Sequence, residues 1–195
     1  PIYPVWLKDD AGNDLLDELG NKQLDYGVTR PNLNDFSSVG TLYDDKFINT
    51  GDNVSARTFL AIGSDQDKAG WLKGLKLTAN FGVDYVSSNN TTFYNMYHGN
   101  AASSNGRLTK SNGRTLSFTF NQLLTWNRSF GNHTIDLLAG HEFYSYTYSY
   151  LTAQKTNLVD GILELRPGTT IADADSYSNA YKIESYLSRL NYNFK

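Results

Sequence analysis

The stretch Leu75-Lys76-Leu77-Thr78-Ala79-Asn80-Phe81-Gly82-Val83-Asp84-Tyr85 decides the fold. Its odd positions are apolar and its even positions are polar or glycine, a period of two held over eleven residues. That period belongs to a β-strand, which sends alternate side chains to opposite sides. At ~3.3 Å per residue and a tilt near 45°, such a strand rises by ~25 Å, the height of the apolar band on an outer-membrane barrel. Strands of soluble proteins are commonly about half as long.

The alternation recurs further along the chain. Leu116, Phe118, Phe120, Leu124 and Trp126 share one parity, interrupted by Gln122. After the short turn Arg128-Ser129-Phe130-Gly131-Asn132-His133 the chain resumes with Ile135, Leu137, Ala139 and Phe143, with His141 in the same parity. This is a hairpin of long strands. Beyond Glu142 the aromatic residues Tyr144, Tyr146, Tyr148 and Tyr150 take the opposite parity, so either a bulge intervenes or the strand has left the lipid zone. In the last segment Tyr186, Leu190, Tyr192 and Phe194 share a face with Ser188, against Ser185, Arg189 and Asn191. Asn53 to Gly63 is a weaker strand whose facing the pattern leaves open. Five strands are therefore expected, over 53–63, 74–87, 115–127, 134–150 and 182–195. Lys76, Asn80, Asp84, Glu142 and Arg189 are expected to face a lumen.

The connections alternate between short (64–73, 128–133) and long (87–114, 151–181), the latter rich in Asn, Ser, Thr and Gly. Short periplasmic turns and long extracellular loops are the asymmetry of outer-membrane barrels. Trp71 and Trp126 fall at strand ends beside the short turns, where an aromatic girdle sits. A lipid-facing sheet of five strands has two open edges, which hydrocarbon does not tolerate, so the expected fold is all-β, an antiparallel segment of a larger transmembrane β-barrel. Residues 1–52 are read as an extracellular loop region and 53–195 as strands and loops. A soluble carbohydrate-binding β-sandwich also alternates; strand length and the scarcity of regularly spaced turn signals speak against it.

Composition is compatible with that reading. The 195 residues are 39% hydrophobic and the mean hydropathy is −0.48, with no apolar run fit for a transmembrane helix. A barrel hides in such an average because every second strand residue is polar. The absence of cysteine excludes disulfides and thiolate chemistry. Seventeen basic against 20 acidic residues leave no broad footprint for nucleic acid. The chain opens Pro1-Ile2-Tyr3 with neither a basic n-region nor an apolar h-region, and is read as an internal piece of a longer protein.

Several strings together resemble the barrel of SusC/RagA-like TonB-dependent transporters of Bacteroidetes. Pro1-Ile2-Tyr3-Pro4-Val5-Trp6-Leu7-Lys8-Asp9 with the turn Asp10-Ala11-Gly12-Asn13 is similar to a run in that family, and Tyr26-Gly27 and Arg30 to the short motif after it. Leu72-Lys73-Gly74-Leu75-Lys76 with Asn80-Phe81-Gly82-Val83-Asp84-Tyr85, Leu123 to His133, Leu138-Ala139-Gly140-His141-Glu142 and Ser185 to Tyr192 continue it in the family's order. The resemblance implies part of a plugged barrel of the 22-stranded class, importing an oligosaccharide or a peptide across the outer membrane. It also implies a SusD-like surface lipoprotein as lid. Neither a plug domain nor a TonB box is found among these residues, so coupling to the TonB complex is expected through a missing N-terminal part. A non-transporting barrel or adhesin is the alternative within the same fold.

No catalytic constellation is visible: there is no G-x-S-x-G elbow, and the protein is read as no enzyme. No cofactor is expected. His98, His133 and His141 are too widely spaced for a metal site, and Asp9-Asp10-Ala11-Gly12-Asn13-Asp14 reads as a turn rather than a calcium loop. The candidate ligand-binding residues are aromatic: Tyr94 and Tyr97 near one long loop, Tyr144, Tyr146, Tyr148 and Tyr150 near the other, and Tyr3 and Trp6. A tyrosine offers sugar or peptide both a ring and a polar tip. The facing is tested by substitution in the full-length barrel. Phe81→Arg is expected to cost ~2–4 kcal/mol in membrane folding titrations, against a mild effect for Asn80→Arg; equal costs would refute the assignment.

Overall fold

The computed structural model describes residues 5–25, 38–64 and 67–195. A short helix, α1 (Ser38–Asp44), precedes five strands: β1 (Lys46–Ser64), β2 (Leu75–Tyr94), β3 (Arg107–Phe130), β4 (His133–Thr156) and β5 (Thr170–Phe194). They form one sheet in the order β1-β2-β3-β4-β5. This is the all-β meander expected, open at both outer strands. Among the described residues no helix is long and apolar enough to cross a membrane, which says nothing of crossing by strands.

The strands are longer than the alternation indicated, at 19, 20, 24, 24 and 25 residues. They extend into stretches read as loop. Ser88-Asn89-Asn90-Thr91-Thr92 carries polar side chains on both sides, so the hydrophobic period vanishes while backbone pairing continues. β3 starts at Arg107, and its run Thr109 to Asn112 is polar on both sides; β5 starts at Thr170, where Ile171 against Ala172 and Ala174 puts apolar groups on both parities and leaves no period to read. β1 likewise begins at Lys46 rather than Asn53.

Two compact units are distinguished, and every strand contributes to both. The first comprises Pro1–Thr50, Ser88–Asn112 and Tyr150–Ser176. Its core is Phe93, Leu108 and Leu158, with Met96, Leu163 and Leu165 packed against them. The second comprises Gly51–Ser87, Gly113–Ser149 and Tyr177–Lys195, and it is a two-faced sheet.

Contacts across the strands of the second unit fix which residues share a face. The Phe81 ring stacks 6.4 Å from Phe118 and stands edge-on at 6.4 Å to Phe120. On the other side Asn80 donates to Asn121 at 2.6 Å. Arg57 holds both carboxylate oxygens of Asp84 at 2.7 and 2.8 Å, and Ser55 donates to the same group. The facing of β1, left open by its sequence, is thereby settled: Ser55 and Arg57 lie on the polar face, and Val54, Leu60 and Ile62 on the apolar one. The pattern was weak because Phe59 intrudes on the polar side.

The apolar face is not free of polar groups. His141 lies 3.0 Å from Glu184, whose Oε1 also accepts the Tyr186 hydroxyl at 2.7 Å. His133 and Tyr192 pair at 2.7 Å. Each group meets a partner on the same face, as polar side chains surrounded by apolar ones require.

At the end of the second unit that carries the short turns, Gly74 joins three strands. Its N–H donates to Ser64 at 2.8 Å and its carbonyl accepts from Asn127 at 3.1 Å. Its φ is +82°, and a Cβ there would stand 2.0 Å from the Asn127 carbonyl oxygen. Gly74→Ala is expected to cost about 3 kcal/mol or more, against about 1 kcal/mol for Gly131→Ala, where φ is +58° and no atom crowds the site. Thermal unfolding of the full-length barrel, read by heat-modifiable gel migration, checks the ranking.

Candidate functional site

The tyrosines of β4 take their place from the β4–β5 register. Arg189 approaches Asp136 to 3.7 Å and Asn191 donates to it at 3.4 Å, which puts even residues of β4 beside odd residues of β5. Further along, Tyr144 and Tyr146 stand 5.8 and 5.0 Å from Tyr181, and Tyr148 stands 5.9 Å from Tyr177. These pairs keep the same relation of parity. The change of aromatic parity after Glu142 is therefore no bulge: the alternation simply continues. Tyr144, Tyr146 and Tyr148 lie on the polar face with Asp136 and Arg189, and Ser145, Thr147 and Ser149 succeed Phe143 on the other.

Five tyrosines thus form a ladder on the polar face of the second unit. Tyr177 and Tyr181, about half exposed, were assigned by sequence to a long loop. Once β5 is extended back to Thr170, parity alone places them opposite the tyrosines of β4. The signal is in the sequence, since Tyr177 and Tyr181 share the parity of Arg189 and Asn191. Tyr181 is nearly parallel to Tyr146, with 26° between ring planes.

The remaining candidates belong to the first unit. Tyr94 is a packing residue: its ring meets Phe47 edge-on at 5.7 Å and carries the Arg107 guanidinium 4.5 Å from its centre. Tyr97 is 67% exposed and donates its hydroxyl to Asp160, which raises the phenol's pKa above its ordinary value. It borders a hollow of about 290 Å³ with Tyr43, Asp44, Lys46 and Asp160. Below it Asp45, buried, accepts the backbone and side-chain N–H groups of Asn95 at 2.8 Å each, and buried His98 reaches Asp44 at 2.7 Å. Tyr150 also lies in this unit. Trp6 pairs with Leu24 across an antiparallel bridge, and the Lys22 ammonium sits 5.9 Å above its ring. Tyr3, like Tyr26, Gly27 and Arg30 of the resemblance, lies outside the described residues.

The acidic run at 9–14 is built as a turn, and a second copy follows it. Asp9 Oδ1 accepts the N–H groups of Ala11 and Asn13 at 3.0 and 2.8 Å. Asp17 does the same for Leu19 and Asn21 at 2.9 and 2.8 Å. Gly12 and Gly20 take φ of +84° and +82°. The tandem Asp-x-x-Gly-Asn spacing is in the sequence, and its second copy folds as the first does. Among the described residues no cluster of His, Cys, Asp or Glu is arranged to hold a metal.

Neither the family models nor the curated proteins include a match to this chain. Solved structures do match. A chain of the RagAB peptide transporter is 23% identical with a TM-score of 0.70, covering 90% of this chain and 20% of its own length. The "closed-closed" state of the RagAB peptide importer gives 22% identity and a TM-score of 0.71, covering 89% and 19%. This chain therefore has the fold of about a fifth of those transporter chains.

The turns generate a prediction about pH. The Asn13 backbone N–H holds the Asp9 carboxyl below the usual aspartate range, and the Asn21 backbone N–H does so for Asp17. A lowered folded-state pKa means that the stabilisation is present at neutral pH. It is lost as pH falls from the ordinary aspartate range through the lower folded value. Amide exchange at Asn13 and Asn21, corrected for intrinsic rate, is expected to accelerate over that window. In Asp9→Ala the pH response at Asn13 should vanish while that at Asn21 persists.

Proposed function

We propose that this chain is a section of a TonB-dependent, SusC-like barrel that imports an oligosaccharide or a peptide across the outer membrane. The observation that carries the reading is the tyrosine ladder on the polar face of a sheet whose other face is apolar. With the apolar face toward lipid, Tyr144, Tyr146, Tyr148, Tyr177 and Tyr181 line the lumen. There they offer a passing substrate flat rings and hydroxyls. Tyr97, Tyr150, Tyr3 and Trp6 offer the substrate further rings; Tyr94 acts by holding Arg107. A SusD-like lipoprotein serves as lid, and TonB acts through a plug carried elsewhere in the full-length protein. The likeness to chains of a peptide transporter supports the transport role. The chemistry is binding and release, with no bond made or broken in the substrate.

The test is uptake of labelled peptides and oligosaccharides by cells carrying the full-length gene. Tyr146→Ala with Tyr181→Ala is expected to lower import of the transported class about tenfold. Leu77→Ile, on the apolar face, should leave it unchanged, and a protonophore should abolish it. Normal import by the double variant, with the barrel assembled, would overturn the reading.

A further inference from the structure

On the apolar face of the second unit lies a groove of about 560 Å³ beside the short turns, unrelated to the tyrosine ladder. Leu124, Trp126, Leu137 and Leu190 border it, and Ala139 and Ser188 make its floor, since their short side chains leave a depression among large neighbours. Trp71, 74% exposed, also lines it. The indole N–H of Trp126 is buried and has no acceptor among the described residues.

A cation stands at the same end. Arg128 follows Trp126 by two residues in β3 and therefore shares its face. Its Nη1 donates to the Gly70 carbonyl at 2.8 Å, and the guanidinium lies 4.9 Å from the centre of the Phe130 ring. Those contacts hold the side chain in place, and the carbonyl takes one of the five N–H donors in the fork. The remainder suit a phosphate oxyanion.

We propose that this groove is a specific site for one phospholipid of the periplasmic leaflet. One acyl chain lies over Ala139 and Ser188, and the phosphate pairs with Arg128. The inference rests on the membrane-barrel reading. A soluble partner protein does not fit as well. The groove is lined mainly by apolar side chains, and a fixed guanidinium stands at the same end beside two tryptophans, the order of hydrocarbon, interface and headgroup in a leaflet.

The full-length protein is purified from outer membranes in mild detergent and examined by native mass spectrometry, with phosphatidylethanolamine added back as probe. The wild type is expected to retain one phospholipid per barrel. Ala139→Phe with Ser188→Phe should lose it, and Arg128→Gln should retain about tenfold less. Both phenylalanines are apolar additions to an apolar face, and heat-modifiable migration confirms that the variant barrel is assembled. Equal retention by wild type and the groove-filled variant would overturn the proposal, leaving annular lipid only. A wild type that fails to insert into phosphatidylethanolamine vesicles would instead overturn the barrel reading beneath it.

Discussion

Uninterrupted backbone pairing from one strand to the next is the constraint on which the rest of this structure depends. A strand that crosses hydrocarbon has no solvent to take its N–H and C=O groups, so each must meet the neighbouring strand without interruption. Side-chain period then follows backbone register: one slipped residue would turn every group of the apolar face to the polar one. The pairs Phe81 with Phe118, Asn80 with Asn121 and Arg57 with Asp84 show the consequence, with ring against ring on one face and charge or amide against its partner on the other. Glycine appears where backbones come closest, and at Gly74 three strands meet at a separation that leaves no space for a methyl group.

The alternation over 75–85 makes the strand type and the two faces legible in the sequence, and the count of five strands makes the sheet an open one. It carried that information because hydrophobicity changes sign at every residue only where one face is apolar. Where both faces are polar, as at Ser88 to Thr92, the sign no longer changes and the strand is invisible to that signal although its pairing is intact. The underestimated strand lengths share this cause. At the start of β5 the reason is different: Ile171 lies on one parity and Ala172 and Ala174 on the other, so no face stands out before Tyr177 and Tyr181. β1 was obscure for the opposite reason, an apolar Phe59 on the polar side. The second turn, at Asp17, is legible from spacing alone, although Leu15, Leu16 and Leu19 around it are apolar.

Polar groups on the apolar face obey the same constraint as the backbone. A carboxylate and an imidazole among apolar neighbours are costly alone, and Glu184, His141 and Tyr186 are brought within hydrogen-bond reach of one another on adjacent strands. The arrangement requires β4 and β5 to hold their register, so it reports on the pairing as well as depending on it. On the polar face the requirement relaxes, and Arg189 and Asp136 stand 3.7 Å apart, longer than a direct hydrogen bond.

The aromatic residues divide by what their rings already touch. Tyr94 has one contact edge-on with Phe47 and a guanidinium over its ring, so little of that ring is left to offer a ligand. Tyr146 and Tyr181 support each other from neighbouring strands at 5.0 Å, while Tyr181 remains about half exposed. A ring fixed on one side and open on the other loses little conformational entropy when something lies against it. Tyr181 combines the two, held by Tyr146 on one side and about half exposed. The arrangement arises here because an unbroken register stacks tyrosines from two strands on a single face.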